Sequence, residues 1–172
     1  MSTRRKTAEL ATAYHEAGHA VVAWMLRIGI RKQGISIIAN SDSSGRIHHC
    51  FALGERPDVA TSDRGRLRAE KLAMVSLAGM EAQRKFSPRS VRNFHASSDY
   101  QNAVDLMSHY TCSDEELGAY LRLLLVRTRQ LVSLPDSRTC VGALVAELTR
   151  RKKLSGSEVN TVLCAAMSGP SL

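Results

Sequence analysis

Two histidines four residues apart constrain this chain more than any other feature of its sequence. They lie in the segment Tyr14-His15-Glu16-Ala17-Gly18-His19, and the apolar residues around it, from about 8 to 27, recur at helical spacing. On a helix, side chains four positions apart project from one face, a single turn from each other. Two neutral imidazoles placed in this way can bind one Zn²⁺ ion. The sequence therefore predicts a zinc site on a first helix that ends near Gly29.

The residue that follows the first histidine suggests what such a site would do. Zinc lowers the pKa of a bound water to about 7, which makes a nucleophile available at neutral pH. Glu16 can lie over that water, take its proton as general base and return it to the leaving amine. The motif thus predicts a zinc metalloendopeptidase. Gly18 inside the helix costs about 1 kcal/mol relative to alanine, and it predicts another element packed closely against this turn.

A catalytic zinc site needs a third protein ligand. The longer pattern that would place a histidine six residues after His19 is absent, because that position is Met25. The candidates elsewhere are Glu70, Glu81, His95, Asp99, Asp105, His48 and His49. Asp99 lies four residues before Ala103 on the apolar face of a predicted helix, where an unpaired buried carboxylate would be costly. Capping that helix is an equally good role for Asp99, and spacing alone leaves both open.

Composition and pattern predict a mainly helical fold with a small β hairpin beside the first helix. The 172 residues are 44% hydrophobic and only 5% aromatic, and they suit one domain over residues 1–172, with flexible ends at 1–7 and 168–172. The hairpin would join a β-branched run that starts at Ile35 to a second strand at 47–53. Further helices are predicted at about 66–86, 98–110, from a capping box at Ser113 and Glu116 onward, at 139–153 and at 157–167.

Charge and hydropathy argue against other classes of protein. The formal charge of +8 comes from basic residues in small scattered groups without interleaved aromatics, so a solvated basic surface is favoured and nucleic-acid binding ranks as the third hypothesis. The longest apolar stretch is far shorter than the roughly 20 residues that span a bilayer, and no signal-peptide core follows the N-terminus. We expect no membrane span and a cytoplasmic protein. Its four cysteines should be reduced thiols: Cys50, Cys112, Cys140 and Cys164.

Several segments resemble a known family. Residues Ala13-Tyr14-His15-Glu16-Ala17-Gly18-His19-Ala20 resemble the zinc-binding helix of the FtsH peptidase family, the proteolytic half of membrane-bound AAA proteases. Leu77-Ala78-Gly79 is similar to the family's Leu-Gly-Gly segment, and Ala96-Ser97-Ser98-Asp99 to its Ala-Ser-Asn-Asp segment. Leu154-Ser155-Gly156-Ser157-Glu158-Val159 is similar to the start of its C-terminal helix. The resemblance covers roughly residues 8–163.

The resemblance implies a fold like the FtsH peptidase domain, with Asp99 as the third zinc ligand. It also implies an edge strand along which an extended substrate pairs by its backbone, made of Ile35, Ser36, Ile37, Ile38 and Ala39. This sequence departs from the family pattern at Gln83, where the family usually has glutamate, and at His95, where it often has glycine. Only fourteen residues precede His15, so we expect neither the AAA motor nor the membrane anchor in this chain.

Motif and resemblance together predict an ATP-independent zinc endopeptidase that cleaves unfolded or flexible polypeptides. The alternative is a catalytically dormant module that keeps the zinc fold and acts with a partner such as a separate AAA motor. Assembly into a homo-oligomer is compatible with either hypothesis. The sequence leaves open the physiological substrate, the group besides zinc that stabilises an oxyanion, and the roles of His95 and Gln83.

Overall fold

The structure is a computed structural model that describes residues 3–38, 62–91 and 97–168. In this part of the chain the helices are α1 (Thr3–Met25), α2 (Asp63–Phe86), α3 (Ser98–Ser108), α4 (Asp114–Ser133), α5 (Pro135–Arg151) and α6 (Gly156–Ser168), with a 3-10 turn at Pro88–Ser90. Two short strands, β1 (Ile35–Ser36) and β2 (Lys153–Leu154), pair antiparallel. The predicted fold class, mainly helical with a small sheet beside the first helix, is confirmed. No helix in the described ranges is both long and apolar enough to cross a bilayer.

The motif-bearing helix α1 is packed from two sides, because it carries apolar residues on opposite faces. Ala13 and Ala17 belong to a core cluster shared with α5, α6 and both strands. Val22 and Ala23 belong to a second cluster shared with α2 and α4. A third cluster, which includes Leu77, holds α2 against α3 and α4. As a result, the turn that carries the two histidines is fixed by packing on both sides.

The contact between α1 and α2 is closest at Gly18. A Cβ atom at this position would lie 2.6 Å from the Ala82 Cβ and 2.7 Å from the Ala78 carbonyl oxygen. Only glycine fits at such a separation, so the backbone of α2 packs directly on the motif-bearing turn. The close neighbour that Gly18 predicted is therefore α2.

The small sheet joins two parts of the chain that are far apart in sequence. The register places Ile35 opposite Leu154 and Ser36 opposite Lys153. The strand predicted at 47–53 lies outside the described residues, and β2 falls where the fifth helix was expected to end. That helix ends earlier than predicted because Lys152 adopts the left-handed conformation, with φ of 67°. The two residues after Lys152 are thereby released into an extended strand.

Helix α1 is longer at its start and shorter at its end than the sequence predicted. It begins at Thr3, so residues 3–7, which we expected to be flexible, are helical. It ends at Met25 rather than near Gly29, because Arg27 takes the left-handed position that terminates a helix, with φ of 58°.

Other boundaries follow known capping chemistry. The capping box predicted at the start of α4 is present, since the Ser113 hydroxyl accepts a hydrogen bond from the Glu116 amide at 3.1 Å. Helix α2 stops at Phe86 as expected. Helix α5 begins at Pro135 rather than at Thr139, because proline is favoured in the first turn of a helix, where its missing N–H has no partner to lose.

Replacement of Gly18 by alanine is expected to lower the free energy of unfolding by about 1–3 kcal/mol, because the added methyl group would overlap α2. The matched variant Gly118→Ala should raise it by about 0.5–1 kcal/mol, since only the end of the flexible Arg122 side chain lies near, at 3.5 Å. Urea denaturation followed by circular dichroism, with a chelator present, measures both. Equal stability of the two variants would contradict the close contact of α1 with α2.

Candidate metal centre

Three side chains converge on one point between α1 and α3. The Nε2 atoms of His15 and His19 are 3.1 Å apart, and the Asp99 Oδ2 lies 2.9 Å from the first and 3.3 Å from the second. Zinc bonds of about 2.0–2.1 Å at tetrahedral angles separate neighbouring ligand atoms by roughly 3.3 Å. The three atoms therefore match the ligand positions of a single zinc ion to within a few tenths of an ångström.

The other ring nitrogen of each histidine is held by an oxygen acceptor. The His19 Nδ1 lies 2.7 Å from the Val75 carbonyl oxygen, and the His15 Nδ1 lies 3.0 Å from the Gln83 Oε1. An oxygen acceptor favours a proton on Nδ1, which leaves the lone pair of a neutral imidazole on Nε2. In the neutral form of each ring, the Nε2 atom that faces the Asp99 carboxylate is then the one able to bind a metal. Hydrogen bonds of this kind fix the tautomer and the ring orientation of metal-binding histidines.

Gln83 supplies its acceptor as an amide, where the resemblance pointed to a carboxylate. Its nitrogen donates to the Ser90 carbonyl oxygen at 3.4 Å and to the Ser90 hydroxyl at 3.1 Å. The Ser90 hydroxyl in turn donates to the Ser87 carbonyl oxygen at 2.7 Å. These bonds turn the amide oxygen toward His15. The site thus gains an oriented acceptor without a further negative charge.

Gly79 on α2 makes room for the imidazole rings. A Cβ atom at this position would overlap the His19 Nε2 and would lie 2.9 Å from the His15 Nε2. Any side chain here would therefore occupy the space where the ligand atoms meet. The resemblance pointed to the segment Leu77–Gly79 without a physical reason. The structure shows one: Gly79 has no side chain, so the α2 backbone can approach the two histidines.

Asp99 reaches the histidines from the first turn of α3 and is only 3% exposed. The capping role that sequence spacing left open is filled by Ser97, whose hydroxyl accepts a hydrogen bond from the Tyr100 amide at 3.2 Å. The Asp99 carboxylate is thereby directed to the histidines instead. The core-facing position expected from the apolar face of this helix is confirmed by its burial.

The other acidic candidates lie in different surroundings. Glu81 is buried, but it forms ion pairs with two arginines from α2 and α4. Glu70 accepts a hydrogen bond from the Tyr120 hydroxyl, and Asp105 is exposed. Within the described residues, no second trio of His, Cys, Asp or Glu side chains is grouped closely enough to hold a metal. The remaining candidates, His48, His49 and His95, lie outside the described residues.

Burial and mutual attraction set the charges of this cluster. Burial alone would lower the pKa of His19, but the charge and hydrogen bond of Asp99, with a smaller contribution from Glu16, raise that pKa to about 9. Burial would raise the pKa of Asp99, but the charge of His19 and hydrogen bonds from both histidines hold that pKa well below its usual range. Without a metal ion, the cluster therefore carries a proton at neutral pH, which a bound cation would have to displace.

The carboxylate of Glu16 lies next to the cluster and has no side-chain partner among the described residues. Glu16 follows His15 on α1, is half-buried, and is close enough for its charge to act on the pKa of His19. No hydrogen bond or ion pair joins it to another side chain in the described part of the protein. No structural contact in the described part of the protein therefore holds this carboxylate in another role.

The run predicted to pair with substrate forms a shorter strand than expected. Only its first two residues, Ile35 and Ser36, form the strand. Beyond them, the Ile37 amide donates to the Lys152 carbonyl oxygen at 2.9 Å, and the Ile38 amide donates to the Ser36 hydroxyl at 3.2 Å. The Ile35 side chain is buried in the core, and the Ile37 side chain is half-buried against that core. The Ile38 side chain is 55% exposed. Ala39 lies outside the described residues.

Comparisons with known proteins assign no family to this chain. No family model matches it, and no curated protein has a matching sequence. The resemblance to FtsH peptidases therefore rests on the motif segments alone and stays a prediction, as does the identity of the metal.

Replacement of Gln83 by leucine is expected to weaken zinc binding about 10–100-fold, because the His15 Nδ1 would lose its acceptor. Gln83→Glu, which keeps an acceptor oxygen at the same reach, is the matched control and should bind zinc at least as tightly as the parent. Competition with a chromophoric chelator measures all three affinities. Unchanged affinity in Gln83→Leu would show that this hydrogen bond does not position His15.

Zinc affinity is expected to rise with pH, because the pKa of His19 near 9 means that a proton competes with the metal. Between about pH 6 and pH 8 this group alone should lower the apparent dissociation constant about tenfold per pH unit. Calorimetric titration in buffers of different ionisation enthalpy also counts the protons released, and about one per zinc is expected from His19. A dissociation constant that stays constant over this range would contradict a protonated zinc-free cluster.

Proposed function

We propose that this protein is a zinc-dependent endopeptidase that hydrolyses peptide bonds of unfolded or flexible polypeptides without ATP. The observation that carries the proposal is the triangle of His15, His19 and Asp99 with the uncommitted carboxylate of Glu16 beside it. A structural cluster would need the three converging atoms but would have no use for a free, half-buried acid next to them. The proposal rests on this combination.

In the proposed site, His15, His19 and Asp99 would hold the metal, and the two histidines are already oriented by Gln83 and Val75. When bound, zinc supplies a Lewis acid that makes a water nucleophilic at neutral pH and polarises the scissile carbonyl group. Burial keeps the His19 and Asp99 side chains away from solvent, whereas the side chain of His15 is 19% exposed. Substrate would therefore approach from the side of His15.

Glu16 would carry the proton through the reaction. Its carboxylate accepts the proton of the attacking water and then delivers it to the amide nitrogen of the leaving group, so the residue ends each cycle as it began. This role requires a carboxylate that is close to the metal ligands and free of other partners. Both conditions hold for Glu16 in the described part of the protein.

The preference for unfolded substrate follows from backbone pairing. β1 lies beside α1, and among the described strands only β2 pairs with it. A polypeptide that adds to the second edge of β1 must be extended, and pairing through main-chain groups tolerates many side chains. Independence from ATP is proposed because the sequence contains no GxxxxGK[ST] phosphate-binding loop.

The variant Glu16→Gln is expected to keep zinc, since no ligand atom changes, and to cleave at least about a hundredfold more slowly, since the proton acceptor is lost. Zinc-loaded parent and variant are incubated with fluorescently labelled casein without ATP, and zinc content is measured in parallel. Glu115→Gln removes an exposed carboxylate from the first turn of α4 and serves as the matched control. That control should cleave at the parental rate.

Each other outcome of this experiment has a definite meaning. If neither parent nor Glu16→Gln cleaves while both hold zinc, the protein is not a self-sufficient peptidase, and the dormant module that acts with a partner takes its place. If Glu16→Gln cleaves as fast as the parent, hydrolysis does not use this carboxylate. If the parent binds no zinc, the cluster is not a zinc site and the proposed function is wrong.

A further inference from the structure

A second concave site lies between α1, the C-terminal ends of α2 and α4, and the first turns of α5. It is a cavity of about 360 Å³ and shares no lining residue with the metal centre. Ala82, Val132 and Val141 give it apolar walls, and the rings of Tyr14 and Phe86 complete them. Pockets that bind small molecules begin at about 300 Å³ and are lined mainly by such groups.

The two aromatic rings form a flat surface. Their centroids are 4.3 Å apart and their planes differ by 10°, so Tyr14 and Phe86 are stacked. The stack ties the start of the motif turn in α1 to the last residue of α2. A rigid aromatic wall of this kind favours a flat or flexible apolar group on its exposed surface.

Among the described residues, the charged side chains that line the cavity are both basic. They are Lys85 and Arg138, and no carboxylate from the described ranges joins them. Both side chains are exposed, and in the described ranges neither forms an ion pair with an acidic residue. Two unpaired cations at an apolar cavity attract an anion that carries an apolar tail.

Gly142 keeps one wall of the cavity open. It lies inside α5, where glycine costs about 1 kcal/mol relative to alanine. Packing does not require glycine at this position, because a Cβ atom would meet no atom within 4 Å. Gly142 is one of the residues that line the cavity, so a larger side chain at this position would lie at its wall.

We propose that this cavity binds a small carboxylate with an apolar tail, with the tail against Tyr14 and Phe86 and the carboxylate between Lys85 and Arg138. The same chemistry is offered by a free carboxylic acid and by the C-terminal residue of a short peptide. The proposal does not depend on zinc or on peptide hydrolysis, because no residue of the metal centre takes part.

Octanoate is the first probe, and octanamide, which has the same tail without the charge, is its control. Titrations followed by ¹H–¹⁵N NMR should show saturable octanoate binding with shifts at Val141 and Gly142, and at least about tenfold weaker binding of octanamide. Arg138→Gln should weaken octanoate binding about tenfold, whereas Arg122→Gln, an exposed position on α4 outside the cavity, should not change it. Acetyl-Ala-Phe as the free acid, compared with its amide, tests the peptide source.

A variant that fills the cavity gives an independent test. Gly142→Phe should abolish octanoate binding while the helical circular dichroism is kept, because Gly142 lines the cavity and a Cβ atom at this position would meet no atom within 4 Å. Equal affinity for octanoate and octanamide, or parental affinity in Arg138→Gln, would overturn the proposal. Titrations with chelator present separate it from the proposed function, since octanoate should bind equally well to the zinc-free protein.

Discussion

The site depends on how closely α1 and α2 approach each other. Two glycines permit this contact: Gly18 removes the side chain of α1 where the helices touch, and Gly79 removes that of α2 under the imidazole rings. Because the backbones lie so close, the Val75 carbonyl oxygen and the Gln83 amide reach the histidines from the same neighbouring helix. The histidines are therefore oriented before any ligand arrives, which reduces the free energy needed to organise a site.

The features that the sequence predicted well are those set by local periodicity. The spacing of His15 and His19 decides that both rings leave one face of α1, and the apolar face of α3 decides that Asp99 is buried. The start of α4 follows from Ser113 and Glu116 in the same way, as a pair of residues within one helical turn. In each case the decisive residues are neighbours in the sequence, so no knowledge of the tertiary fold was needed.

The features that the sequence did not predict depend on distant parts of the chain. Lys153, the first residue of β2, was expected to end a helix, since nothing near it in the sequence reveals that Ser36 lies opposite. The sequence marks Gln83 only as a departure from a family pattern. Its role as an acceptor for His15 depends on the hydrogen bonds that Ser90 makes with its amide nitrogen. The cavity is assembled from four helices, and none of its residues stands out alone. Such contacts arise from packing between helices rather than from the propensity of a segment.

The position of Asp99 on a separate helix has a consequence for folding. α3 packs mainly against α2 and α4, and the Asp99 carboxylate joins it to the two histidines of α1. An ion bound by these three groups would close the long segment between His19 and Asp99 into a loop, in the manner of a removable cross-link. Because the unfolded chain does not hold the three ligands together, the ion would bind and stabilise the folded state alone. Metal binding and unfolding would then be coupled, so that the free energy of unfolding increases with the concentration of the metal ion.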